Sequence, residues 1–533
     1  MSDASSNIIK EPSLRKNVKY TPLFKIRRES DETKVTALDI KPTSWTVRVR
    51  QFLGLFTLLL LFTISVLGSV VMWATTFYDD AINERLILKN GSAAFESWRK
   101  SPVRPIMRFR LFNYTNVREF KAGDETKLRV EEIGPYTFLE QSERVNIVFG
   151  DNGTITYQDK RTYEFVPELS NGSLNDTVFT VNMPLMTAYY KERKMNVFRR
   201  LAISGLLNVM KPEPFHKKTV QQIFWGYEDS LIKMASIGNK EVRVGLLQQK
   251  NGTSKNTITV SSGAGDLNQL GQITRFDGKD SVNYYASDEC NRVDGSDGTK
   301  FPPPQVVPGG TLYIYHRDVC RRVPLDYEKD VQVWDGVPAL RFRPPKNVLD
   351  DGDANPDNAC YCLEDSYDVC QPSGVMGTSH CKNNVPIYAS FPHFYLGDPI
   401  LLDAVDGLKP DPEKHDMYLD IHKMGVPVAG RTRFQFNVLV KNSLNNYVLA
   451  SLDDRLLPIV WLERELGDFP PEIKKLLYTV SFTVPQIKKA LEYGTVITAV
   501  ITGVALLVWL AVVLHSLLRP VTQIPEVYVM TRL

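Results

Sequence analysis

An α+β protein held in a membrane by two helices is the fold class that three observations predict. An uncharged apolar run stands near each end of the 533-residue chain. The long stretch between the runs reads mostly as turn-punctuated β-structure, and all six cysteines cluster inside it. The averages conceal this: 43% apolar residues, 23% charged residues and a mean hydropathy of −0.20 describe an ordinary soluble protein. They exclude a disordered chain, a collagen-like chain and a polycation built for nucleic acid.

Residues 1–51 form a polar tail with 11 Lys and Arg against 6 Asp and Glu. Residues 52–73 follow without a charge, long enough to cross a hydrocarbon core of about 30 Å as a helix. A cleaved signal peptide would lie nearer the start, be shorter and end at a small-residue site. Arg48 and Arg50 at the inner edge place the N-terminal tail in the cytoplasm. A second uncharged run, 494–514, opens a helix over 494–518. Two crossings return the tail 519–533 to the cytoplasm. Residues 74–493 then form the ectodomain, with 51 Lys and Arg against 54 Asp and Glu. It holds N-glycosylation sequons at Asn90, Asn113, Asn152, Asn171, Asn175 and Asn251.

On the oxidising side of a membrane, Cys290, Cys320, Cys360, Cys362, Cys370 and Cys381 read as three disulfides of open connectivity. A zinc site from Cys360, Cys362, Cys370 and His380 is the weaker reading, because zinc sites prefer wider spacing than C-x-C. Residues 143–165 and 309–319 alternate as strands, with Asp151-Asn152-Gly153 as a hairpin turn. Helical patterning is confined to about 78–98 and 184–236. In the second region Leu201, Leu206, Leu207 and Val209 precede a break at Lys211-Pro212-Glu213-Pro214.

Chemistry-bearing motifs are missing. There is no G-x-S-x-G elbow, H-E-x-x-H, P-loop or dinucleotide fingerprint. His316, His393 and His422 read as structural or surface residues. Asp350-Asp351-Gly352-Asp353 reads as an acidic turn, since no bidentate acid follows at calcium-loop spacing. No catalytic residue, metal or cofactor is expected.

Ordered motifs add a family. Leu111-Phe112-Asn113-Tyr114-Thr115-Asn116, Glu132-Ile133-Gly134-Pro135-Tyr136 and Trp225-Gly226-Tyr227-Glu228-Asp229 come first. Cys290-Asn291, residues 295–303 (GSDGTKFPP), Val319-Cys320-Arg321 and Cys360-Tyr361-Cys362 follow. Ser390-Phe391-Pro392-His393-Phe394 and Gly407-Leu408-Lys409-Pro410, with His415 and Leu419-Asp420-Ile421, close the series. Over about 95–465 this resembles the CD36 family of class B scavenger receptors. The resemblance implies an antiparallel β-barrel ectodomain with an apical helical bundle, anchored by two transmembrane helices, and an apolar tunnel for lipid. It implies pairing of Cys290 with Cys360, Cys320 with Cys381, and Cys362 with Cys370.

By the same resemblance the segment 184–236 is a ligand-binding cap. Between 183 and 218, eight Lys and Arg stand against two Glu. Such a patch draws anionic particles over a Debye length of roughly 8 Å. Lys191, Lys194, Arg199, Arg200 and Lys211 are the candidate ligand contacts, with solvation of a helix face as the plainer role for some. The implied function is a scavenger receptor, not an enzyme, that binds lipids, lipoproteins or anionic particles. It would pass fatty acid, sterol, phospholipid or carotenoid to the plasma membrane, with cycling through endosomes. A two-span ligand-gated channel is the alternative, and a tethered hydrolase comes third.

The tails carry short signals. Neither holds a cysteine for palmitoylation. Tyr20-Thr21-Pro22-Leu23 fits a Tyr-x-x-apolar endocytic pattern, while Leu517-Leu518 lacks the acidic residue of a dileucine signal. Thr531 and Leu533 fit a C-terminal ligand for a PDZ domain, which captures the free carboxylate by strand addition.

Overall fold

Eleven strands carry the architecture, in a computed structural model that describes residues 44–192, 195–235, 243–285, 287–361, 372–382, 384–441, 447–452 and 454–518. They are β1 (Ile106–Tyr114), β2 (Leu128–Phe149), β3 (Thr154–Phe165), β4 (Ile258–Ser261), β5 (Ile273–Phe276) and β6 (Thr311–His316). β7 (Arg321–Val333), β8 (Val337–Arg343), β9 (Tyr418–His422), β10 (Val426–Leu439) and β11 (Leu456–Glu465) complete the set. The order across the sheet is β5-β4-β3-β2-β1-β11-β10-β9-β8-β7-β6, antiparallel throughout.

One short segment stitches the two edges into a nearly closed sheet. Ser296 bridges Gln272, beside β5, and Ile314 in β6. Ile273 N donates to Gly295 O at 2.8 Å, and Ser296 N donates to Tyr313 O at 2.8 Å. Gly295 has φ +114°, and a Cβ there would sit 2.9 Å from Tyr315 N, so the approach demands glycine. Pairing the edges removes the exposed donors and acceptors that would otherwise invite another strand.

The expected hairpin forms at 150–153, between β2 and β3, with Gly153 at φ +72°. Helical expectations are met only in pieces. The region 78–98 holds a helix at Phe77–Asn83 and α2 (Ala93–Arg99), the latter capped by Ser92 Oγ accepting from Phe95 N. The region 184–236 holds α3 (Met183–Glu192), α4 (Val197–Met210), α5 (Val220–Trp225) and α6 (Ser230–Ala235). After the expected break it also holds a strand, Phe215–Thr219, paired with Thr177–Val181, where helical patterning was expected to resume. The physical reason is the Pro212/Pro214 break: Lys211 turns left-handed at φ 44° and the chain leaves extended.

The cap region is fastened to the barrel by aromatics. Phe224 of α5 packs edge-on against Phe109 of β1 and Phe138 of β2, each at 5.0 Å between centroids. Leu185, Met186, Phe215 and Val220 join the same buried cluster.

By contact, residues 65–498 form one unit and the described ends, 44–64 with 499–518, another. In the second unit apolar helices pack at Gly503, where a Cβ would lie 3.1 Å from the Phe62 ring. Among the described residues two helical runs are long and apolar enough to cross a membrane, Val49–Ala74 and Pro471–His515. Within the larger unit, Trp73 Nε1 donates to Glu492 O at 3.2 Å and Lys488 pairs with Asp79 at 2.7 Å.

Outward-facing residues of β1, β11 and β10 form a ladder of charge. Arg108 meets Glu463 at 3.0 Å, Arg431 meets Glu465 at 3.1 Å, and Arg433 meets Glu463 at 2.6 Å. Arg433 and Glu463 are buried, so removing one partner strands the other. Arg433→Met is expected to cost about 3–5 kcal/mol in thermal or denaturant unfolding, and Arg433→Met with Glu463→Leu to recover most of that loss.

Candidate functional site

Strand alternation sends every second side chain inward, and on five neighbouring strands, β3-β2-β1-β11-β10, such side chains, Glu140 of β2 among them, line one cavity. Thr432, Phe434 and Phe436 come from β10, Val460, Leu462 and Arg464 from β11, Met107 and Phe109 from β1, and Arg161 and Tyr163 from β3. The cavity is about 810 Å³, within the range of roughly 300–1,000 Å³ common for small-molecule sites. Part of its wall belongs to the cap region: Met183, Thr187, Lys191, Met195, Ile203 and Leu231.

The rest of the wall is mainly apolar, but it also holds Glu140, Arg161, Lys250, Asp318, Lys382 and Arg464, whose ion pairs extend to Asp159 and Arg317 outside the lining. Asp318, beyond β6, is clamped by Lys250 at 2.9 Å and Lys382 at 3.0 Å. Asp159 is shared by Arg161 at 3.1 Å and Arg317. Glu140 receives Arg464 at 3.4 Å. Burial opposes ionisation of Asp318, yet the two lysines outweigh it and hold its carboxyl well below the usual range. Burial likewise opposes Asp159, and Arg317 and Arg161 hold it at about 2. His316 borders this cluster; burial pushes its imidazole down to about 4, so the ring is neutral at physiological pH.

The candidate contacts fall in two places. Lys191 lines the cavity. Arg199 and Arg200 are exposed in the first turn of α4, whose N-cap Asn196 accepts from Arg199 N at 3.0 Å. Lys211 is exposed at the other end of that helix. Lys194 lies outside the described residues. Between these cations, Phe198, Leu201 and Val209 present an apolar stripe to solvent, 84%, 64% and 84% exposed. The interior cations Arg161, Lys250, Lys382 and Arg464 escaped sequence reasoning. The inward alternation of Arg161 with Tyr163 on 143–165 was the available signal.

Cys290 and Cys360 are joined across 70 residues. Cys320, buried, and Cys381, half-buried, the expected second pair, stand as free cysteines in the structure. Each also turns towards a backbone carbonyl, Cys320 to Arg317 O and Cys381 to Thr378 O, both at 3.4 Å. Cys362 and Cys370 lie outside the described residues, as do Thr531, Leu533 and the Tyr20 pattern. Asn90, Asn152, Asn171, Asn175 and Asn251 are exposed, whereas Asn113 sits in β1 with Oδ1 accepting from Phe179 N at 2.9 Å. Asp351 Oδ1 accepts from Asp353 N and Ala354 N, which makes 350–353 a self-capped acidic turn.

Distant motifs converge on a structural histidine pair. His393 Nδ1 accepts from Lys409 N at 3.1 Å, which leaves the proton on Nε2 to donate to Glu132 at 2.7 Å. His415 stacks on His393 with centroids 4.6 Å apart. His393, His415 and His422 are all buried, so none is a surface residue.

These features define a class: a membrane-anchored protein whose nearly closed antiparallel sheet encloses an apolar, partly charged cavity. The profile of the CD36 family matches residues 55–513, and the chain belongs to the CD36 family. It is 33% identical over 420 residues to lysosome membrane protein 2 of Homo sapiens, covering 78% of this chain and 85% of the relative. The Mus musculus protein of that name is 32% identical over 459 residues, 84% of this chain and 93% of the relative. Scavenger receptor class B member 1 of Rattus norvegicus is 30% identical over 434 residues, with 79% and 82% covered.

Acid should weaken the fold in two stages. Burial holds His216, His316, His415 and His422 at about 4, against about 6.5 when unfolded. The unfolded chain therefore binds more protons between those values, and stability falls as pH drops from about 6.5 to about 4. Asp159 and Asp318, depressed when folded, add a further loss below about 4. Melting temperatures across this range should decline in that order, and His316→Asn should flatten the first stage.

Proposed function

We propose that the chain is a scavenger receptor that captures anionic or lipid-bearing ligands at its basic cap and takes lipid into the barrel cavity. The observation that carries this reading is the shared wall: cap residues Lys191, Met195 and Ile203 line the same cavity as barrel residues Phe109, Phe434 and Leu462. A ligand held at α4 is thus beside a large apolar space. The scavenger receptor class B relatives support the same role. In this reading both termini are cytoplasmic, 74–493 faces outward, and the protein works at the plasma membrane and in endosomes. The name of the human relative adds the lysosomal membrane as a destination.

Reversing Lys191, Arg199, Arg200 and Lys211 to Glu together should cut capture of anionic lipid particles at least about tenfold, since several charge-assisted contacts vanish. Surface expression should hold. Undiminished capture would remove the cap from the mechanism. Mass spectrometry of lipid extracted from the purified full chain tests the cavity directly; recovery of no lipid would count against it.

The three disulfides belong to the same proposal, with Cys320–Cys381 and Cys362–Cys370 oxidised in the mature ectodomain. Each bridge that closes a loop of tens of residues contributes roughly 3–4 kcal/mol on the entropic account. Alkylation of the denatured, unreduced chain should then add no mass. Addition at two or four cysteines would show the corresponding pairs to be reduced.

A further inference from the structure

Two neutral imidazoles hold a strained segment shut. His393 and His415 are buried and stack with their rings 10° from parallel. Each accepts a backbone N–H at Nδ1: Lys409 N reaches His393 at 3.1 Å and Asp411 N reaches His415 at 2.9 Å. An imidazole accepts there only while Nδ1 carries no proton, so both rings are neutral with the proton on Nε2. A second proton must enter at Nδ1, where it faces the N–H it displaces. The segment they hold is not relaxed. His393, Phe394 and Leu396 are all left-handed, at φ 52°, 57° and 60°, a conformation that residues with side chains keep only when their surroundings impose it.

A buried polar chain leads from the pair to the cavity wall. His393 N donates to Gln435 Oε1 at 2.7 Å, Gln435 Nε2 to Asn437 Oδ1 at 2.8 Å, and Asn437 Nδ2 to Ser390 Oγ at 3.0 Å. Gln435, Asn437 and Ser390 are fully buried. Ser390 ends the strand Ile387–Ser390, which pairs with β10, and Ile387 at its start lines the cavity together with Val385. Thr378, on the same wall, donates its N–H to Ile387 O at 3.0 Å.

Charged groups reach the pair from every side. Glu132 of β2 accepts from His393 Nε2 and Trp461 Nε1 at 2.7 Å each, and Arg110 of β1 lies 3.5 Å from Glu132. Arg433 of β10 is paired with Glu463 of β11 at 2.6 Å. Asp411 caps the turn that carries His415 and pairs with Lys414 at 3.4 Å. Burial, His393 and Arg433 outweigh the carboxylates of Glu132 and Asp411 and hold His415 at about 4.

We infer that the His393–His415 pair is an acid-operated latch on the strand Ile387–Ser390, and that its release loosens this wall of the cavity. A proton at either Nδ1 takes the acceptor from its amide and places a cation against the neighbouring ring. The segment 391–397 then relaxes, and the polar chain to Ser390 loses its anchor. A ring held at about 4 when latched and near about 6.5 when free favours release as pH falls through that interval, by up to roughly 300-fold. A barrel that keeps its contents at neutral pH thereby lets them go in an acidic compartment, a consequence that rests on the reading above that the cavity receives lipid.

The test is hydrogen–deuterium exchange of the full chain in a nonionic maltoside at pH 7.4 and pH 5.0, corrected for the intrinsic pH dependence of exchange. Peptides covering 385–397 and 407–415 should lose protection at least about tenfold at pH 5.0, while those of β3 should not. His393→Asn and His415→Asn each keep a side-chain acceptor without a titrating ring, and together they should flatten the pH dependence. The melting temperature at pH 7.4 reports whether the double variant folds; His415→Asn alone takes its place if it does not. Unchanged protection of the wild-type chain at pH 5.0 would overturn the latch whatever the variants do. A loss that persists in the folded variant would assign the effect to another group and overturn it as well. Protection lost at 407–415 but kept at 385–390 would overturn the coupling to the cavity wall. Absence of lipid from the purified chain at both pH values would overturn the lipid reading alone, since exchange still decides the latch.

Discussion

The position of β11 between β1 and β10 is the constraint on which the rest of the structure depends. Ile106, where β1 begins, lies opposite Glu465, where β11 ends. The first and last of the eleven strands are thus hydrogen-bonded neighbours. The three strands then sort their side chains by parity. Even positions on β10 and β11 and odd positions on β1 face the cavity. The opposite positions carry the Arg–Glu ladder, with Trp461 beneath the Arg110 guanidinium at 4.3 Å. A register slip of one residue would drive that ladder into the apolar interior. The ladder therefore specifies pairing as well as contributing to stability.

How much of this was legible in the chain depended on whether the signal was local. The two membrane runs, the Gly153 hairpin and the break after Met210 are set by neighbouring residues, and all are where the spacing put them. The extent of helix in the cap region was not legible. Phe215–Thr219 is too short and too polar (FHKKT) to announce a strand, and it becomes one because Thr177–Val181 supplies its hydrogen-bond partners. The convergence of Glu132, His393 and His415 was likewise hidden, since each belongs to a different motif and only the fold unites them.

The site divides in the same way. Basic residues of 183–218 are crowded in the sequence and so stood out by charge alone. The interior cations are isolated along the chain, at Arg161, Lys250, Lys382 and Arg464, and each reads singly as a solvated surface residue. Alternation hints that Arg161 shares a face with Tyr163, but inside and outside of a barrel have the same period. What separates them is the cross-strand register, which composition does not encode.

A cavity wall that keeps charge inside an apolar barrel carries an energetic consequence. Burial opposes ionisation of Asp318 and Asp159, and their depressed carboxyls show that the neighbouring cations prevail locally. The five cation side chains keep between 24% and 39% of their surface accessible, so solvent meets part of their charge. If stability alone governed these positions, apolar residues of similar volume would serve as well or better.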